Sequence, residues 1–152
     1  MSTPVATRIF GNALAIGRLV PAFLALGLLR HVLPLDVLAR WAWRSPRRVS
    51  NAADARRIIA RAVRACALAG APDRNCLQRS LLLYRELSRA GADPVLAVGF
   101  RHANGRVQGH AWVVVGGRAV AEPDADMGGF VPALTFGRQG RLATPAAVGQ
   151  SA

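Results

Sequence analysis

The chain has 152 residues, of which 52% are apolar, and this composition is typical of one globular domain rather than of a disordered chain. It carries 20 basic residues, all of them arginine, against 8 acidic ones, so the net charge is +12. Such an excess predicts anionic partners, namely an acidic peptide, a lipid surface or nucleic acid. Two cysteines, Cys66 and Cys76, are too few for a disulfide framework or a four-cysteine zinc site, so we expect no metal and no cofactor.

The most apolar segment is 8–38, where prolines at 21 and 34 predict two or three helices with breaks near the prolines. Its longest uncharged run, 19–29, is shorter than the roughly 20 residues that a membrane span needs. We interpret the segment as core helices whose arginines reach solvent, with an interfacial helix on anionic lipid as the alternative. Because the pattern is not that of a signal peptide, we expect a cytoplasmic protein. Contact with a membrane surface is left open.

The Ser-Pro-Arg-Arg run at 45–48 predicts a linker, since proline disfavours helix at the residue before it. It divides a helical apolar region, 1–45, from an expected catalytic core over 46–142, with a flexible tail over 143–152. Ser50 or Asn51 is the predicted cap of the next helix, with Asp54 in its first turn and Gly70 after its end. A further helix is predicted from Cys76 to about residue 90, followed by Gly91.

Beyond residue 93 the pattern changes to short apolar runs that predict strands over 94–101, 106–115 and 118–121. The first two are separated by Asn104-Gly105, the strongest short hairpin signal, and the next two by Gly116-Gly117. Helices followed by an antiparallel meander predict an α+β fold, in which the helical half packs on a small antiparallel sheet.

Two side chains in this arrangement could act together as an activated nucleophile. Cys76 stands at the start of an apolar helix, where the helix dipole lowers the pKa of a thiol and favours the reactive thiolate. His110 lies in the second strand, on the same face as Trp112, while small Gly109 and Ala111 leave space beside it. If the helix packs on this sheet, the sulfur of Cys76 can meet the imidazole of His110.

A third group is needed to orient the imidazole, and the turn at Gly116-Gly117 decides which one is available. A two-residue loop pairs His110 with Pro123, which offers no acid. A three-residue loop, 115–117, pairs it with Glu122, and a loop shifted to 116–118 pairs it with Asp124. Because three-residue loops with a left-handed glycine are common, we predict Glu122, with Asp124 as the second choice.

The strings Asn75-Cys76-Leu-Gln-Arg79-Ser80 and Gly109-His110-Ala-Trp112-Val, followed by an acid twelve residues after the histidine, resemble the leader peptidases of lasso-peptide biosynthesis. That family also begins with a helical region rich in arginine and leucine. The resemblance implies a papain- or transglutaminase-like fold with a Cys-His-Asp triad. Carried over, Cys76 is the nucleophile, His110 the general base and Glu122 the acid by spacing, although the family usually has aspartate there.

The resemblance also implies a function: a cysteine protease that removes the leader from a ribosomally made precursor peptide. The implied partners are the precursor, a lasso cyclase that closes the ring, and a separate leader-recognition protein, because nothing before residue 45 resembles a strand-rich recognition module. Arg79 is expected either to contact substrate and support the thiolate or to form a structural ion pair, with Glu86 or with an acidic loop residue. Trp112 is a further candidate for substrate binding.

Two other functions fit the same residues. An acyl-enzyme can react with an amine instead of water, so an acyltransferase or transglutaminase is the rival enzyme. A basic binding module without catalysis would also suit the charge. Nucleic acid is not expected as a partner, because the aromatic residues are few and are not interleaved with arginine.

Overall fold

The computed structural model describes residues 5–47, 51–70, 75–122 and 127–144. Within these ranges four α-helices precede a four-stranded antiparallel sheet, which confirms the α+β prediction. The helices are α1 Val5–Leu29, α2 Leu35–Ala42, α3 Ala52–Leu68 and α4 Cys76–Arg89, and the strands are β1 Val95–Ala103, β2 Arg106–Val115, β3 Arg118–Val120 and β4 Val131–Phe136.

The predicted break at Pro21 is wrong, because α1 continues through it as one helix of 25 residues. Proline removes a single backbone hydrogen bond, whereas Leu19, Phe23 and Leu26 pack into the core on both sides of it. Burial of these side chains outweighs the lost bond. Pro34 does separate two helices, since α2 begins at the residue after it.

The ends of α3 and α4 follow the predicted local signals. The Asn51 side chain accepts a hydrogen bond from the backbone N–H of Asp54 at 2.9 Å, which satisfies one of the free donors at the start of α3. The alternative cap, Ser50, lies outside the described residues. Helix α4 begins at Cys76, as predicted, and Gly91 follows its end with a φ of +80°.

The sheet has the strand order β3-β2-β1-β4, and both predicted hairpin turns are present. Asn104-Gly105 joins β1 to β2 and Gly116-Gly117 joins β2 to β3, each as a two-residue loop with positive φ at both positions. Such loops match the twist of the flanking strands. The three-residue loop predicted at 115–117 is therefore wrong, since Val115 pairs directly with Arg118.

Strand β4 was not predicted, because Pro132 within a short run flanked by glycines argues against a strand. It lies at the edge of the sheet beside β1, the place where a proline is tolerated. The pairing is interrupted by a bulge between Val98 and Gly99.

One core joins the helices to a single face of the sheet. Phe23 of α1, Leu81 and Tyr84 of α4, and Leu96 and Val113 of the sheet are all buried in one cluster. The region before residue 45 thus shares its core with the rest of the chain. The opposite face of the sheet carries a smaller cluster of Ala97, Trp112 and Val114.

Two observations concern the apolar N-terminal segment and the C-terminal end of the chain. None of the described helices is both long and apolar enough to cross a bilayer. Within the predicted tail, Ala143 exchanges hydrogen bonds with Thr135 of β4, at 2.8 Å and 2.6 Å, and residues 145–152 lie outside the described residues.

Gly99 of β1 provides a test of the close packing of β1 against β4 and Trp112. A Cβ at this position would lie 2.2 Å from the backbone oxygen of Val131 and 2.9 Å from the Trp112 ring. Because the oxygen belongs to a paired strand, Gly99→Ala should lower the free energy of unfolding by about 1–3 kcal/mol in urea denaturation.

Gly17→Ala is the matched control, since Gly17 lies inside α1 and a Cβ there meets nothing within 4 Å. Alanine should raise the free energy of unfolding at this site by up to about 1 kcal/mol. Equal effects of the two substitutions would contradict the described pairing of β1 with β4.

Candidate active site

Cys76 is the first residue of α4, where the backbone N–H groups have no partner within the helix. The preceding residue, Asn75, makes no capping hydrogen bond with its side chain. The positive end of the helix is therefore directed at the half-buried Cys76 sulfur. The backbone N–H of Leu77 contributes further by lowering the pKa of the thiol.

The short length of β3 determines how α4 meets the sheet. The last pair of the β2–β3 ladder joins Val113 to Val120, so the backbone of Ala111 extends beyond it. The Ser80 hydroxyl donates to the Ala111 carbonyl oxygen at 2.8 Å, and the Ala111 N–H donates to the sulfur of Cys76. The first turns of α4 thus replace the missing strand neighbour and hold the sulfur next to β2.

The hydrogen bond between Cys76 and His110 is the largest influence on the charge of both groups. It lowers the pKa of the Cys76 thiol, against the opposing effect of burial. The same bond, together with the one to Glu122, raises the pKa of His110 to about 9. These two shifts act in opposite directions and both favour the thiolate–imidazolium form of the pair, which is the reactive state of a cysteine nucleophile.

Glu122 occupies the third position of this constellation. Its Oε2 lies 3.2 Å from Nε2 of His110, which leaves Nδ1 as the ring nitrogen that faces the thiol. Its other carboxylate oxygen, Oε1, accepts a hydrogen bond from the guanidinium of Arg79. The Glu122 side chain is only 4% exposed, so its negative charge is held between two cationic groups rather than in solvent.

The route by which Glu122 reaches His110 differs from the predicted strand register. With the two-residue turn, the ladder would pair His110 with position 123. Strand β3 instead ends at Val120, and Ala121 adopts a φ of +62°, a conformation that is uncommon for alanine. This change of direction carries the Glu122 side chain to the imidazole, so the predicted contact is present although the predicted loop is not, and the catalytic role of Glu122 stays a prediction. Asp124, the second choice, lies outside the described residues.

Arg79 forms the ion pair with an acidic loop residue that the sequence offered as one of its alternatives. Its partner is Glu122, whereas Glu86 pairs with Arg85 at 3.6 Å. The Arg79 side chain is 17% exposed, and its Nε is buried without a hydrogen bond to any described residue. The contact supports a positioning role for Arg79, in which it fixes the carboxylate that in turn fixes His110.

Trp112 is only 2% exposed, so little of its surface is open to a peptide. Its ring stacks on that of His110, with centroids 6.0 Å apart and planes 12° from parallel. Phe130, which the sequence analysis did not single out, lies 5.2 Å from the imidazole centroid. The two aromatic rings restrict the imidazole, and only the folding of the segment before β4 onto β2 reveals Phe130.

The space predicted beside His110 is used for packing. A Cβ at Gly109 would lie 3.3 Å from the Phe100 ring, so the glycine accommodates that side chain of β1. Ala111 is buried beneath α4, where its small size allows the helix to approach.

The donors for a negatively charged carbonyl oxygen were expected to include the Cys76 backbone N–H, which lies at the free end of α4. Gln78 is not a second donor, because its amide is buried and bonds to the Phe23 carbonyl at 2.7 Å. Within the described ranges no group of three or more His, Cys, Asp or Glu residues could hold a metal ion.

A comparison with known families gives the wider context of this geometry. A model of the Transglutaminase-like superfamily matches residues 18–135, which include α4, β2 and Glu122. The chain belongs to the transglutaminase-like superfamily. Neither the curated proteins nor the solved structures gave a significant match.

Membership of the transglutaminase-like superfamily agrees with the predicted fold and with acyl chemistry at a cysteine, as in a cysteine peptidase or an acyltransferase. The match begins at residue 18, so it includes the second half of α1.

The charge state of the pair predicts the reactivity of Cys76 as a function of pH. Since the thiol pKa is lowered, alkylation by iodoacetamide should reach its plateau below the ordinary thiol range near 9. In His110→Gln the plateau should move upward by a pH unit or more, because the main stabilising bond is lost. Peptide mapping by mass spectrometry separates Cys76 from Cys66, whose pKa burial raises to about 11.

Arg79 gives a second prediction, for which turnover of a thioester or peptide substrate is the measurement. Arg79→Met should lower kcat by at least about tenfold, because Glu122 loses the group that holds it in place. It should also move the alkaline limb of the pH profile to lower pH, because a displaced Glu122 stabilises the imidazolium of His110 less well. Arg79→Lys, which keeps the charge, should recover part of both. An unchanged pH profile in Arg79→Met would mean that the ion pair only stabilises the fold.

Proposed function

We propose that this protein is a cysteine protease that removes the leader from a ribosomally made lasso-peptide precursor. The proposal depends on one observation above all: Cys76 and His110 share a hydrogen bond, and Glu122 holds the other side of the imidazole. These three residues come from α4, β2 and the segment after β3, so their meeting is a property of the fold rather than of a local sequence.

The proposed reaction begins with attack of the Cys76 thiolate on the scissile carbonyl carbon. The carbonyl oxygen becomes negatively charged beside the free N–H groups of α4. The His110 imidazolium gives its proton to the leaving amine as the C–N bond breaks, and a thioester remains on Cys76. Neutral His110 then takes a proton from water, which attacks the thioester and releases the carboxylate and the free thiolate.

The lasso-peptide assignment is finer than superfamily membership and is supported by the sequence strings around Cys76 and His110. Two residues of the first string make contacts that build the site. Arg79 forms an ion pair with Glu122, and Ser80 joins α4 to β2 through its hydrogen bond to Ala111. Trp112 supports the imidazole. The resemblance therefore extends to residues that build the site.

The proposed partners are the precursor peptide, a separate leader-recognition protein and a lasso cyclase that consumes the processed peptide. The described part of the chain before residue 45 consists of helices, with no strand that could form a recognition sheet there. The arginine excess favours acidic surfaces on these partners.

Acyl transfer to an amine remains the second candidate, because the superfamily match favours hydrolysis and transfer equally. The two reactions share the thioester and differ only in the nucleophile that resolves it. The mass of the product distinguishes them, since hydrolysis adds water and transfer adds the amine.

The proposal is tested by incubating the protein with a candidate precursor and recognition protein, with the products followed by mass spectrometry. Wild type should give a free leader and a core peptide, and Cys76→Ala should give neither, because the nucleophile is absent. Cys66→Ala is the matched control, since Cys66 is buried in the core and burial raises the pKa of its thiol to about 11, so it is not the reactive cysteine. Normal cleavage by Cys76→Ala would refute the assignment.

The identity of the acid is tested by comparing Glu122→Gln with Asp124→Asn in the same assay. Glu122→Gln should lose at least about a hundredfold in kcat, because the imidazole loses its charged partner. Asp124→Asn should stay within about threefold of wild type. The reverse order of effects would move the role to Asp124.

A further inference from the structure

A second site lies where α1, α3 and α4 meet, away from the catalytic residues. It is a cleft of about 260 Å³ whose lining includes Arg18 of α1, Arg61 of α3, and Arg85 and Arg89 of α4. Arg85 and Arg89 follow Cys76 by nine and thirteen residues, so at the helical rise they stand about 14 Å and 20 Å further along α4. The cleft is therefore separate from the thiolate.

Among the described residues, arginines outnumber carboxylates in the lining of this cleft. Four arginines line it with one carboxylate, that of Glu86, whose Oε1 lies 3.6 Å from Nε of Arg85. That separation is too long for a hydrogen bond, and Arg85 Nε is buried without a hydrogen bond to any described residue. Burial of a guanidinium N–H without an acceptor is costly, and the negative charge of an anion in the cleft would offset part of that cost.

The surroundings of Arg85 add to this cost. Burial lowers the pKa of its guanidinium and the nearby charges of Arg44 and Arg89 lower it further, while the Glu86 carboxylate acts in the opposite direction. Its side chain is 26% exposed, which is enough for contact from solvent. Like charges held together in a half-buried recess are a common feature of sites that bind carboxylate or phosphate groups.

We propose that this cleft binds an acidic peptide segment, with a glutamate or aspartate side chain against Arg85 and Arg89. The lining also includes Leu19, Ala22 and Ile58, which give an aliphatic surface for an apolar neighbour of the acid in the same segment. A flat lipid surface would reach exposed Arg18 but not the recessed Arg85. The cleft thus provides a docking site for an acidic partner or substrate, whether or not that peptide is cleaved at Cys76.

Fluorescence anisotropy with a short labelled peptide of glutamates and leucines tests this site. Wild type should bind it, and a peptide with glutamine in place of glutamate should bind at least about tenfold more weakly. The double variant Arg85→Gln/Arg89→Gln should lose about tenfold or more. Arg106→Gln/Arg118→Gln changes the net charge equally at exposed positions of the sheet and should stay within about twofold of wild type.

Thermal melting by circular dichroism shows whether each variant is folded. If the first double variant melts early, Arg18→Gln/Arg89→Gln replaces it, since Arg18 is exposed. Equal losses in the cleft and control variants, or no peptide binding by wild type, would overturn the proposal. It would also be overturned if the binding of phosphatidylglycerol vesicles or of an oligonucleotide required Arg85 and Arg89 while the binding of the peptide did not. Binding is measured without turnover, so failure here is distinct from failure of the proposed protease reaction.

Discussion

Because β3 ends at Val120, the backbone of Ala111 has a strand neighbour only on the β1 side, and the first turns of α4 fill the position on the other side. The Ser80 hydroxyl donates to the carbonyl oxygen of Ala111, and the sulfur of Cys76 accepts from its N–H. A helix thus satisfies two backbone groups that a strand would otherwise pair. This contact fixes the distance between the sulfur and β2. His110 precedes Ala111 in the chain, so the contact that holds Cys76 against Ala111 also holds it next to His110.

The second level of organisation is a row of alternating charges. The row begins on α4 at Cys76, whose lowered pKa favours the thiolate, and continues to the imidazolium of His110 on β2. It then passes to the carboxylate of Glu122 after β3 and returns to α4 at the guanidinium of Arg79. Each charge has an opposite neighbour, which offsets the cost of partial burial. Both ends of the row belong to α4, three residues apart, so one helix turn holds the nucleophile and the anchor of the acid.

Features that depend on local signals could be predicted from the sequence. The Asn-Gly and Gly-Gly turns, the start of α4 at Cys76 and the cap at Asn51 each follow from the residues at those positions. The α+β class followed from the order of these elements.

Features set by packing between distant segments could not be predicted in this way. Helix α1 continues through Pro21 because its buried face holds it in place, and β4 forms because β1 offers it an edge. Glu122 was predicted from a three-residue loop that is absent, and it reaches His110 because Ala121 turns the chain. The aromatic support from Phe130 likewise depends on a segment twenty residues away in the chain.

The lowered pKa of the Cys76 thiol has a cost as well as a use. Thiolates are the form that peroxides oxidise, first to a sulfenic acid and then irreversibly, and Cys76 is only half-buried. Cys66 is buried in the core, where burial raises the pKa of its thiol to about 11 and so disfavours the form that is oxidised. The property that suits Cys76 to act as a nucleophile therefore also makes it the cysteine at which oxidation is expected to begin.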